Sequence, residues 1–183
     1  EAGGRAGGLS FALLLNLVAV ANAETKDVLW GFLKRYAPSV SPDTHPRLDA
    51  LVGYAIRYYA DFVKPKKTYR LADEVETAAL STLSDALGRL PADAPPEKIQ
   101  EAVYDVARPI PRFQDLKAKG ATPERPGVSN LWFNTLYQIL PGEERGPRFG
   151  SFAAIYGLDN TRHLISQALS GALKSEHDAF VEK

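Results

Sequence analysis

The chain contains no cysteine and no methionine, and only three histidines. Without cysteine there can be no disulfide framework, no thiolate nucleophile and no thiolate metal ligand. The missing methionine matters because the sequence opens Glu1-Ala2-Gly3-Gly4, which leads us to expect a piece of a longer translation product. His45, His163 and His177 stand far apart with no HxxxH spacing, so no metal site is expected. His45, beside Pro46, reads as a surface or capping residue. Net charge is absent too, since 22 basic residues balance 22 acidic ones. No global field then draws the chain to nucleic acid or membrane, and any such attraction must come from local patches. GxxxxGK[ST], a strand-led GxGxxG and a nucleophile elbow are all missing. By itself the chain therefore reads as a non-enzyme with no nucleotide-triphosphate site and no cofactor of its own.

Long apolar runs are also lacking. The longest, Leu9 to Ala23, would form a helix of about 22 Å, short of a ~30 Å hydrocarbon core, and Asn16 interrupts it. No membrane-spanning segment is expected. The surrounding stretch GGLSFALLLNLVAVANAE supports two readings. An upstream Arg5, an apolar run and a small-x-small site resemble a secretory signal, which would make the chain an exported or scaffold-type helical protein with residues 1–23 as a signal remnant. Alternatively the run is a core helix capped by Ser10. The opening without Met and the short run favour the second, and Leu13, Leu14, Leu17 and Val18 should then be buried.

What is present is helical periodicity. Residues 1–8, EAGGRAGG, read as a flexible linker. Helices are expected over about 9–22, from Thr25 to Ala37, and from Asp43 or Thr44 to Val63. In the last of these, Leu48, Leu51, Val52, Ala55, Tyr59, Phe62 and Val63 recur at steps of three and four. Further helices are expected over 72–90, 97–107, 130–140 after a Ser129 cap, a short one ending at Gly157, and a last one from Asp159 to about Leu173. Pro46, Pro38, Pro42 and Pro65 punctuate starts and stops. The fold class is all-α, a bundle or cage of about seven to nine helices. The expected layout is a first helical subdomain at 9–110, a basic loop at 111–128, a second helical subdomain at 129–175 and a polar tail at 176–183.

Charge is segregated along this neutral chain. KPKKTYR, residues 64–70, holds Lys64, Lys66, Lys67 and Arg70 with Tyr69 and no acid. Residues 108–125 carry Arg108, Arg112, Lys117, Lys119 and Arg125 against Asp115 and Glu124. Between them, 71–105 holds eight acids against Arg89 and Lys98. Basic loops interleaved with aromatics suit single-stranded RNA, whose phosphates meet Lys and Arg while its bases lie on aromatic faces; solvated surface loops would look the same. A third constellation, GEERGPRFGSF at 142–152, sets Arg145 and Arg148 beside a helix start with Gly146 and Gly150. It reads either as a phosphate-binding corner or as a tight inter-helix turn with Arg145 paired to Glu143 or Glu144.

SFALLLNLVAVAN, THPRLDALVGYAIRYYADFVKPKK, WFNTLYQIL and GEERGPRFGSFAAIYG resemble, in the same order, the C-terminal part of class I lysyl-tRNA synthetases, particularly bacterial ones. The resemblance runs from about Leu9 to Leu173. The family's catalytic Rossmann-type domain, with its HIGH-like and KMSKS-like signatures, has no counterpart in this sequence. What the resemblance implies is the family's helical anticodon-binding portion, similar to that of bacterial glutamyl-tRNA synthetases. It implies lysine tRNA, through its anticodon stem-loop, as partner, with the parent's own catalytic domain and its ATP lying outside this chain. A cytoplasmic location is implied, and a glutamyl-type relative is the neighbouring alternative. U-rich anticodon bases would stack on aromatics and be read by Arg and backbone groups. The candidate RNA-binding residues are Lys64, Lys66, Lys67, Tyr69, Arg70, Arg112, Arg145, Arg148 and Phe149, the last of which suits a core position equally well.

Overall fold

The computed structural model describes residues 9–182, and the expected linker at 1–8 lies outside them. The described residues hold nine α-helices, a π-helical turn, a 3-10 turn and one pair of two-residue strands. The all-α expectation thus holds. The helices form two compact units that divide between Lys67 and Thr68.

The first unit is built on α1 (Phe11–Ala21), α2 (Lys26–Tyr36) and α3 (Pro46–Tyr58). Ser10 caps α1, its side chain accepting from the Leu13 N–H at 3.2 Å. Leu13, Leu14, Leu17 and Val18 are 0–1% exposed and form the face that α2 and α3 cover. That burial is what a core helix requires, and it disfavours the signal-remnant reading. Leu29, Trp30 and Leu33 fill α2's inner face, and Val28 is exposed. Trp30 turns inward and donates Nε1–H to Asp49 Oδ1 at 2.9 Å. Lys26 reaches the other oxygen of Asp49 at 3.0 Å. These two donors, Lys26 foremost, hold the Asp49 carboxyl below its usual titration range.

Pro46 occupies the first turn of α3, as its fixed φ favours, but the cap position is His45 rather than Asp43 or Thr44. Thr44 is engaged with Ser41, each side-chain oxygen accepting the other's backbone N–H. At Tyr59–Val63 the helix widens to π pitch, with the Lys64 N–H on the Tyr59 carbonyl at 2.8 Å. This turn shifts the phase of everything after it. Phe62, expected on the buried stripe, is therefore 57% exposed.

The second unit contains α4 (Glu74–Gly88), α5 (Pro96–Ala107), the 3-10 turn Pro111–Phe113, strands β1 (Gln114–Asp115) and β2 (Gly127–Val128), and then α6 (Asn130–Ile139), α7 (Phe149–Tyr156), α8 (Leu158–Leu169) and α9 (Ala172–Val181). Acidic residues gathered at the start of α4 form a capping box: Asp73 accepts from the Glu76 N–H and Glu76 accepts from the Asp73 N–H. Helix α5 lies along α7, and α4 packs on both α5 and α8. Leu80, Leu83, Leu87, Ile99, Val103, Trp132, Leu136 and Phe152 make the shared core.

The α5–α7 approach depends on Gly150. A methyl group there would sit 2.4 Å from the Pro96 carbonyl oxygen and 2.9 Å from Gln100 Cβ. Gly157, with φ of 102°, ends α7 as expected and opens α8 directly, so Asp159 falls in the first turn of α8 and is not its cap.

Three expected boundaries move. The split falls at 67/68 and not near 110, because the apolar stripes of α4 and α5 are buried on α7 and α8. The stretch 111–128 is tied down by β1 and β2, antiparallel with Gln114 opposite Val128, and by Arg108 donating to the Pro126 carbonyl at 2.7 Å. The expected polar tail is mostly helix: α8 stops at Ser170–Gly171, α9 restarts, and His177 is buried between the rings of Tyr69 and Phe180. Among the described residues no helix is long and apolar enough to cross a membrane.

Candidate nucleic-acid interface

The sequence offers cations in three places, and their surroundings separate them. In the first unit Lys66 is exposed while Lys64 is half-buried. Lys67 donates to the Tyr59 hydroxyl and lies 5.0 Å from the centre of that ring. It fastens the end of the π turn and is committed there.

In the second unit Arg70 is bound as a fork. Its two terminal nitrogens reach the Glu76 carboxylate at 2.8 and 2.6 Å, and Nε reaches Gln138 Oε1 at 2.7 Å. Glu76 is almost wholly buried, and the Arg70 hydrogen bonds keep its carboxyl below the ordinary carboxylate range despite that burial. Arg112 meets Asp73 at 2.6 Å. Arg70 and Arg112, both expected at RNA, neutralise the capping box of α4. Tyr69 packs its half-buried ring on Gly142 and edge-on to His177, at 5.4 Å between ring centres. Burial, with the charges of Glu143 and Glu176, pushes its hydroxyl far above the usual phenol range.

Arg145 and Arg148 differ from these. Both are exposed, and among the described residues neither guanidinium makes an ion pair or side-chain hydrogen bond. The expected pairing of Arg145 with Glu143 or Glu144 does not occur. They stand at one rim of a pocket of about 430 Å³ enclosed by α5, α6 and the turn into α7. Phe149, expected to face RNA, is the first residue of α7, is 1% exposed and packs on Phe152 and Tyr137 in the core. It contributes to the pocket lining only. The N-terminus of α7 is partly closed to anions as well: Gln100 Oε1 takes the Gly150 N–H at 2.7 Å.

The remaining lining comes from residues the sequence reading passed over. Asn130 and Asn134 stand one turn apart on α6, with Phe133 and Tyr137 between and beyond them. Tyr104, from α5, meets Phe133 edge-on at 5.2 Å and 77°. Arg108 lies over the Tyr104 ring at 5.7 Å, its Nε paired with Asp105 at 3.0 Å. The available signal is the i, i+4 asparagine pair in NLWFNTLYQIL, a polar stripe beside aromatics. Among the described residues no group of three or more His, Asp or Glu could hold a metal ion.

No family model matches the chain, and no solved structure matches it. It is similar to curated proteins named lysine–tRNA ligase. It is 43% identical over 166 residues, 91% of its length, to that of Roseobacter denitrificans. It is 42% identical over 164 residues, 88% of its length, to that of Rickettsia bellii, and 38% identical over 164 residues to that of Rickettsia prowazekii. The chain spans only 28–29% of the length of these relatives. These similarities support reading it as a region of an aminoacyl-tRNA synthetase. The relatives' shared name points to lysyl-tRNA synthetase in particular.

Proposed function

We propose that this chain is the anticodon-binding part of a class I lysine–tRNA ligase, acting in the cytoplasm by gripping the anticodon stem-loop of lysine tRNA. The observation that carries the reading is the similarity to lysine–tRNA ligases across 88–91% of the chain. The all-helical fold, the unpaired Arg145 and Arg148, and the absence of HIGH-like and KMSKS-like signatures support a binding role over a bond-making one. Lysine activation, with its ATP, then belongs to a catalytic domain elsewhere in the parent enzyme.

In this reading the chain supplies affinity and identity. Arg145 and Arg148 meet backbone phosphates beside the pocket, where their planar, permanently charged forks suit phosphate oxygens. Lys66 adds a second, sequence-independent phosphate contact.

The test is direct binding of the purified chain to a panel of tRNA transcripts. Lysine tRNA should bind more tightly than glutamate tRNA, and transplanting the lysine anticodon into the glutamate transcript should restore affinity. Equal binding of both transcripts, or none, would remove the assignment.

A further inference from the structure

We infer that an exposed aromatic row in the first unit, Tyr54, Tyr58 and Phe62, is a stacking surface for unpaired nucleotides of the bound tRNA, in addition to the phosphate contacts of Arg145 and Arg148. This rests on the RNA-binding reading above and adds to it a second surface with its own chemistry.

The rings form a continuous row. Tyr54 and Tyr58 stand one turn apart on α3 with ring centres 5.9 Å apart, and Phe62 continues the row from the π turn, 5.2 Å from Tyr58. Phe11, the first residue of α1, flanks it at 5.4 Å from Tyr54 and 5.5 Å from Tyr58. Tyr54 is 50% exposed and Phe62 57%. Among the described residues the three rings of the row meet no ring except one another and Phe11. Half-exposed apolar side chains gathered in one patch mark a surface kept for a partner.

Two features give the partner's chemistry. The first is the kind of apolar surface. Apart from Val28, no large aliphatic side chain of this unit is exposed among the described residues, so the apolar surface on offer is aromatic, and aromatic faces are what bases stack on. The second is charge. Between Pro46 and Lys67, Arg47, Arg57 and Lys66 are exposed and make no ion pair among the described residues, against the single exposed carboxylate of Asp61. Asp49 is already answered by Lys26, and α1 carries no charge. Cations in excess beside aromatic faces complement a polyanion and oppose a basic protein surface. A duplex hides its base faces within the stack, so the nucleotides concerned are unpaired.

Tyr54→Leu/Phe62→Leu and Tyr54→Phe/Phe62→Tyr test this on the full chain, with lysine and glutamate tRNA transcripts as probes. The leucine pair keeps apolar bulk and loses the π faces, and should bind both transcripts roughly five- to hundredfold more weakly, the scale of a lost base stack. Stacking tolerates any base, so the ratio of the two affinities should stay as in the parent. The aromatic pair should bind like the parent. Because both positions are half-exposed or more, all variants should melt close to the parent, which separates lost binding from lost folding. Trp30 and Trp132 are 3% and 0% exposed, so the added emission of Phe62→Trp reports on the row. Lysine tRNA and a single-stranded RNA of mixed sequence should quench it, and a fully paired RNA duplex should not.

If the leucine pair binds like the parent while the parent still prefers lysine tRNA, the row is not a stacking surface although the function stands. Emission from Phe62→Trp that saturating tRNA leaves unchanged, or that duplex quenches equally, overturns it as well. Self-association of the parent that tRNA does not reverse would assign the rings to a second copy and overturn the RNA assignment. A parent chain that binds no tRNA brings down the functional reading and this inference together.

Discussion

Arg70 and Arg148 carry the same charge and meet opposite circumstances. Arg70 is held on three atoms and neutralises an almost buried Glu76, so its removal leaves a carboxylate without its counter-charge. Arg70→Ala should cost roughly 1–3 kcal/mol of stability, read from the urea midpoint at neutral pH. Arg148→Ala, which breaks no ion pair, should stay within about 0.5 kcal/mol of the parent. The same network carries a pH signature. Glu76 titrates below its ordinary 4.5 because Arg70 hydrogen-bonds its ionised form. A depressed native value means the unfolded chain takes up the proton first as acid is added. The stabilisation is complete above about pH 4.5 and is lost as pH falls through the lower native value. Glu76→Gln should lower stability at pH 7 and flatten its decline below pH 4.5; parallel stability–pH curves for the two proteins would refute the linkage.

Elements meet through a few close approaches. Helix α7 approaches α5 at Gly150, where no side chain fits beneath the Pro96 carbonyl. Gly150→Ala should force the helices apart and cost about 1–3 kcal/mol, the range for overpacking. Because α5 and α7 both line the pocket, tRNA binding should weaken in the same variant. In the first unit α1 is the wall against which α2 and α3 close, and Leu17 is fully buried on it. Leu17→Ala should cost roughly 2–5 kcal/mol by opening a cavity, measured by thermal or chemical unfolding. A negligible change would mean that α1 is peripheral to the fold.

Across the whole chain a formal charge of zero conceals the distribution that matters. The acids opening α4 are answered locally by Arg70 and Arg112, while Lys66, Arg145 and Arg148 remain on the surface. RNA binding should therefore be strongly salt-dependent despite the neutral total. Lys66→Ala should reduce the slope of log affinity against log salt by about 0.7, one single-strand phosphate contact, without altering preference among anticodons. Most of the helices, the Ser10, Ser129 and Gly157 caps and the buried face of α1 were legible from order and spacing, because a cap or a 3.6-residue stripe is written within one or two turns of chain. The π turn before Lys64, where Phe62 is exposed, was not, since no residue type in YADFV marks a change of pitch. The partition of the cations was illegible for a related reason. Lys67, Arg70 and Arg112 look in sequence like Arg145 and Arg148, and what separates them is a carboxylate or hydroxyl brought near by folding, up to 39 residues away for Arg112 and Asp73. The pocket has the same origin: Tyr104 and Asn134 become neighbours when α5 and α6 bury their apolar faces, and no local pattern records which faces will meet.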